Sequence, residues 1–258
     1  MPGTLRKIAL SLSALGFWSG QDAIAQPFRP IDPLVRPRQG AGGYAISTSL
    51  DYAPTVVYGE DGTFTRNELG LGLTGVYNVT DQLRVYGALR ASGTLRQQLT
   101  PEGASGTQNV ALSAPTLGAE YAFGGEYDPT LAADVTPPLF GQAWGAGLGL
   151  SASLLRDPLI VEGSLNYRYT AALPGEGTVT HDLYAGLGVG FVVNESFTLR
   201  GDVTQNWTVG RIVVPSTDVS TSVSYRLSEQ SSLRAGASVN ALGGETSWRT
   251  ALGYTFRK

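Results

Sequence analysis

Between residues 197 and 207, apolar and polar side chains fall into two alternating rows. Phe197, Leu199, Val203 and Trp207 share one parity, while Thr198, Arg200, Asp202, Thr204 and Asn206 share the other. A period of two is that of a β-strand, in which successive side chains point to opposite faces. The same parity separates Leu233, Ala235, Ala237 and Val239 from Arg234, Ser238 and Asn240. It separates Val219, Val223, Tyr225 and Leu227 from Ser220, Ser222, Ser224 and Arg226. It also separates Leu83, Val85 and Leu89 from Arg84, Tyr86, Arg90 and Ser92. The theme recurs in nearly every segment from Tyr44 onward, and no segment supplies a helix to cover the apolar faces. In a bilayer those faces meet lipid and the polar faces line an interior. Closing the sheet then removes the edges whose unpaired backbone groups hydrocarbon would not tolerate. The expected fold class is all-β: a transmembrane, antiparallel, up-and-down β-barrel spanning residues 44–258.

Turn signals divide the chain. Asn78-Val79-Thr80-Asp81, Asn194-Glu195-Ser196 and Ser228-Glu229-Gln230 separate aromatic-ended strands from strands that open with leucine or phenylalanine, and read as tight periplasmic turns. Arg156-Asp157-Pro158 and Gly124–Pro129 extend the set. The expected outer loops are Glu60–Gly62, Thr100–Thr107, Pro137–Gly141, Pro174–Gly177, Pro215-Ser216 and Gly243–Glu245. Strands counted between these turns number about twelve, with both termini periplasmic; about ten or about fourteen are the alternatives. Thr130–Thr136 is short and irregular, yet the even count needs it as a strand.

Aromatic residues sort by strand end. Tyr77, Phe123, Phe191, Phe197, Tyr225 and Phe256 lie toward the periplasmic turns; Tyr52, Trp144, Tyr167, Tyr169, Trp207 and Trp248 lie toward the outer loops. Two such girdles at the bilayer interfaces suit amphipathic rings. The final strand, Trp248–Phe256, resembles the C-terminal signal read by the barrel-assembly machinery, although Arg257 and Lys258 follow its last aromatic residue.

Composition agrees with this picture. Charged residues make up only 15%, against about 25% in globular domains. Glycine occurs 34 times in 258 residues, roughly twice the usual share. The N-terminal 25 residues have a basic head (Arg6, Lys7), an apolar middle (Ile8–Trp18) and a small-x-small site at Ala23-Ile24-Ala25. They read as a signal peptide cleaved after Ala25. The apolar middle falls well short of the roughly 20 residues a spanning helix needs. Residues 26–43, with Pro27, Pro30, Pro33 and Pro37 among Arg29, Arg36 and Arg38, read as a proline-rich periplasmic linker, either a spacer or a plug of the barrel mouth. The absence of cysteine excludes a disulfide framework, a thiolate metal site and a lipid-modified cysteine. A formal net charge of −3 leaves no basic surplus for nucleic acid. The expected location is the bacterial outer membrane. Expected partners are its lipid, periplasmic chaperones, the assembly machinery and a small-molecule solute, and no cofactor is expected.

Several runs carry a family resemblance: Trp144–Leu150 (WGAGLGL), Leu165-Asn166-Tyr167, Leu183–Phe191 (LYAGLGVGF), Ser222–Glu229 (SVSYRLSE) and Leu252–Phe256 (LGYTF), with a fainter echo at Tyr127–Leu131. Together they resemble an outer-membrane transporter family named for phenol degradation by the meta pathway, over roughly half of the chain. The resemblance implies a barrel of about twelve strands that moves small, often aromatic or hydrophobic, molecules, with no catalytic residues to carry over.

Inward parity places Arg66, Arg84, Arg90, Arg168, Arg200, Arg226, Arg234 and Arg249 in the lumen with Asp51, Glu68, Glu120, Glu162, Asp182, Asp202 and Asp218. They form either an electrostatic constriction that selects solutes or a salt-bridge ladder that fills and stiffens the barrel. The inward glycines Gly145, Gly147, Gly149, Gly186, Gly188 and Gly190 either leave space for a solute or let strands bend and pack. His181, the one histidine, cannot build a multi-histidine metal site. A lipid-modifying role would pair it with a serine on the same face, with Ser216 the nearest loop candidate, but no motif surrounds either residue. The expected function is a passive channel or transporter for small solutes and not an enzyme. The alternatives are a structural barrel with a filled lumen and, behind it, a lipid-modifying outer-membrane enzyme.

Overall fold

The computed structural model describes residues 40–59, 62–100, 103–139, 144–171, 179–209, 213–242 and 245–258. The expected signal peptide and most of the expected linker lie outside the described residues. Strands β1 (Tyr44–Gly59), β2 (Gly62–Asn78), β3 (Leu83–Thr100), β4 (Gly103–Leu112), β5 (Thr116–Ala122) and β6 (Thr130–Thr136) build the first part of the wall. Strands β7 (Trp144–Arg156), β8 (Leu159–Ala171), β9 (Val179–Asn194), β10 (Phe197–Val209), β11 (Val213–Arg226), β12 (Ser231–Leu242) and β13 (Glu245–Arg257) complete it.

All pairings are antiparallel, and β1 closes on β13 from Ala45↔Arg257 to Tyr52↔Thr250. The amide of Tyr44 donates to the Lys258 carbonyl at 2.9 Å, and the Lys258 amide donates back at 2.8 Å. The two residues beyond the last aromatic therefore help to seal the cylinder. β4 and β5 share one place in the ring, since both pair with β3. The result is a closed barrel of 12 strand positions. The break between them is a one-residue bulge. Ala91 pairs with Leu112 and Ala88 with Thr116, so four steps along one chain oppose three along the other. The Ser113 amide donates to the Arg90 carbonyl at 2.8 Å within this bulge. Pro115 sits where a ladder donor is dispensable.

The five expected periplasmic turns fall between strands where the turn signals put them, and Thr130–Thr136 is a strand. The expected outer loop Pro174–Gly177, and parts of those at Glu60–Gly62, Pro137–Gly141 and Gly243–Glu245, lie outside the described residues; among the described residues two expected outer loops differ. Thr100–Thr107 mostly belongs to the β3–β4 hairpin, and Pro215-Ser216 lies inside β11 opposite Trp207 and Asn206. Turn-like composition misleads at both places because cross-strand pairing, not local preference, extends the ladder.

Register assigns every strand two faces. The outward row carries large apolar side chains left bare, such as Leu71, Leu148 and Leu187, the last 71% exposed. A water-soluble protein would bury such a belt; here it is the surface that meets lipid. Ring pairs mark its two ends: Phe197–Tyr225 at 5.6 Å and Tyr121–Phe123 at 5.0 Å near the turns, Tyr52–Trp248 at 6.1 Å and Trp144–Tyr169 at 5.0 Å near the outer rim. The inward row is mainly polar; toward the periplasmic mouth it carries a small apolar plug of Ala45 and Val76 with Tyr86 packed against them, and Leu155, Ile160 and Val192 on β7–β9.

Candidate functional site in the barrel lumen

The strand registers point all of the predicted lumen charges inward. What the sequence does not disclose is how they reach one another. Arg90 on β3 meets Asp51 on β1 at 2.7 Å and Glu68 on β2 at 3.2 Å. It does so over Gly70 of the intervening strand, where a Cβ would collide with both the guanidinium and the Asp51 carboxylate. Arg168 on β8 reaches Asp134 on β6 at 3.5 Å and the Thr136 hydroxyl at 2.6 Å, over Gly147 of β7. Arg200 on β10 reaches Glu162 on β8 at 2.7 Å over Gly188 of β9, and also meets Asp202 of its own strand at 2.7 Å. The construction repeats: an arginine, a glycine on the middle strand, and a carboxylate one strand further on. Each glycine is needed because the pair lies flat against the wall where a side chain would stand. Arg84 and Glu120, on adjacent strands, pair directly at 2.8 Å, with Glu120 only 1% exposed. Asp182 instead accepts a hydrogen bond from the Thr208 hydroxyl at 2.5 Å.

These contacts favour the salt-bridge ladder for part of the wall. From β5 to β9 the inward side chains Glu120, Ala132, Asp134, Glu162, Asn166, Arg168, Asp182 and Tyr184 are buried, while Thr116, Ser151, Ser164 and Thr170 between them keep intermediate exposure. From β10 to β13 the lining changes. Thr204, Asn206, Asp218, Ser220, Arg234, Ser238, Asn240 and Arg249 keep intermediate exposure and Ala251, inward by register, is exposed, while Ser222, Ser224 and Thr255, nearer the periplasmic end, are buried. The lumen is thus more tightly packed along β5–β9 and more open along the middle and outer part of β10–β13.

Arg226, Arg234 and Arg249 belong to the β10–β13 wall, and Arg234 donates to the Ser222 hydroxyl at 2.9 Å. Asp134 was missed although it shares a parity with Thr130 and Thr136 opposite Leu131 and Val135, and so was recoverable from the short strand β6. Tyr184, 4% exposed in the lumen, shares the parity of Asp182 and was recoverable from it. Arg96 and Arg257 are also inward and unforeseen.

His181 lies outward on β9 beside two girdle tyrosines. Its Nδ1 is 2.7 Å from the Tyr167 hydroxyl, and its ring is 5.4 Å from that of Tyr169. Ser216 is inward on β11, so the wall separates it from His181 and the two cannot form a nucleophile–base pair. Among the described residues no group of three or more potential ligand side chains is placed to hold a metal ion.

The fold is that of outer-membrane barrels. The translocator domain of autotransporter NalP from Neisseria meningitidis superposes with a TM-score of 0.56 at 11% identity, covering 98% of this chain and 98% of that chain. The CymD monoaromatic hydrocarbon channel gives 0.48 at 11% identity, over 85% of this chain and 90% of that chain. KdgM porin gives 0.46 at 10% identity, over 82% and 98%. No family model and no curated protein matches the sequence.

Proposed function

We propose that this barrel is a passive outer-membrane channel for small polar solutes, with the conducting lane along the β10–β13 wall. The observation that carries it is the exposure of Ala251 at an inward position, among half-exposed Ser238, Asn240 and Thr204. A filled lumen would bury Ala251 as this barrel buries Ala132, Glu120 and Asn166 at inward positions across the lumen wall. A barrel of 12 strand positions lies between the filled 8-stranded barrels and the water-filled 16-stranded porins, so partial filling leaves room for one narrow lane. The serine, threonine, asparagine and arginine lining supports polar solutes over the aromatic or hydrophobic ones that the family resemblance implies. On this reading the chain is exported by a cleaved signal peptide and inserted by the assembly machinery, its partners being outer-membrane lipid and the solute.

The packed ladder favours a second reading, a structural barrel with a filled lumen. Single-channel recording of the detergent-purified protein in planar bilayers decides between them. Stable conductance steps are the expected result. Silence from protein with a β-rich circular dichroism spectrum overturns the channel reading and leaves the structural one.

A further inference from the structure

The lumen charges are segregated. At inward register β11–β13 carry Arg226, Arg234, Arg249 and Arg257 against Asp218, with Glu245 the one other acid, at the outer rim. On the remaining strands arginines and carboxylates nearly balance, and they are tied to each other by the ion pairs spanning Gly70, Gly147 and Gly188. The surplus positive charge therefore lies along the wall that is more open. Arg249 is half-exposed and has no carboxylate among the described residues within ion-pairing distance. Arg234, also at inward register and of intermediate exposure, has the Ser222 hydroxyl among its partners. The inward neighbours Gly236, Ala251 and Gly253 are too small to screen either guanidinium from the lane.

We propose that this wall is an anion-selecting strip whose arginines pass small carboxylates through the lane. A guanidinium presents a planar fork of donors that matches a carboxylate, and a cleft with low-dielectric walls concentrates the ion of opposite charge. The proposal rests on the channel reading and adds a sign and a chemical class to it.

The test is the reversal potential of the purified protein in planar bilayers under a potassium chloride gradient, repeated with potassium acetate. The wild type is expected to pass chloride and acetate over potassium by about threefold or more. The double substitution Arg234→Glu with Arg249→Glu is expected to invert that preference; Arg234→Lys with Arg249→Lys, which keeps the charge, should retain it. Glu195→Gln, in a periplasmic turn, serves as the control. Heat-modifiable gel migration verifies that each variant is folded, and the wild-type ratio stands whether or not the glutamate pair folds. Open steps with a cation preference overturn the proposal and leave the channel standing, as does a ratio that folded glutamate variants fail to move. A preference for chloride with acetate excluded overturns the carboxylate assignment. Folded, silent protein overturns both.

Discussion

Three glycines show how much of this barrel is decided by single Cβ atoms. At Gly118 a methyl group would meet the Tyr86 ring and the Ala133 carbonyl oxygen, the latter at 2.7 Å. Backbone cannot swing aside, so Gly118→Ala is expected to cost about 1–3 kcal/mol, as overpacking does. At Gly147 the nearest atom is the Asp134 Oδ2 at 2.5 Å, the end of a side chain that can turn only by leaving Arg168. Gly147→Ala should therefore cost less than Gly118→Ala but remain measurable. At Gly163, outward, the nearest atom is a Leu187 methyl at 3.9 Å, and Gly163→Ala should stay within about 0.5 kcal/mol of wild type. Urea unfolding in lipid vesicles, followed by tryptophan fluorescence, gives the order; a Gly163→Ala variant as damaged as Gly118→Ala would contradict these packing assignments. Sequence alone offered both readings of inward glycine, empty space or close approach. It could not choose, because the ion pairs that lie over Gly70, Gly147 and Gly188 join strands that are not adjacent in the chain's local pattern.

Strand faces were legible wherever residues of opposite character alternate, and illegible where they do not. β10 declares its parity through Leu199 and Val203 against Arg200 and Asp202; β6 declares its own more briefly, through Leu131 and Val135 against Thr130, Asp134 and Thr136. The β4–β5 break was hidden. Its extra residue reverses the parity, so Thr107, Asn109 and Ala111 point inward before the bulge and Thr116, Gly118 and Glu120 after it. Deleting Ala114 removes the extra residue, so three steps oppose three and a regular ladder forms with Val110, Leu112, Leu117 and Tyr121 all still outward. The folded, heat-modifiable band is expected to persist; its loss would show that the bulge itself is needed for the barrel to close. The lipid face yields a second expectation at this scale. Leu187 is outward at mid-β9 and Val193 outward at its periplasmic end. Arginine at a bilayer midplane costs about 2–4 kcal/mol and near an interface about 0–1, so Leu187→Arg should be the far more damaging change in refolding titrations. Equal penalties would displace the membrane belt from where the aromatic pairs put its ends.

For the whole molecule, the contrast between a tightly packed and a more open side is the feature from which function follows. It arises because the cross-strand pairs and the apolar plug at Ala45, Val76 and Tyr86 occupy one side of a cylinder whose other side is lined by short hydroxyl and amide side chains. The chain contains no cysteine, so single cysteines can report on each side without a background. Ala251→Cys stands on the open wall, while Ala132→Cys replaces a lumen residue only 3% exposed among the packed strands. In protein reconstituted into vesicles, a charged, membrane-impermeant thiol reagent should label Ala251→Cys about tenfold faster or more, since thiol reactivity follows access to water. Leu187→Cys, facing hydrocarbon, should resist the same reagent. Equal, rapid labelling at residues 251 and 132 would describe a uniformly open pore in which the ion pairs do not obstruct the lumen. Slow labelling at both would describe a barrel filled on every side, and the conducting lane along β10–β13 would have to be abandoned.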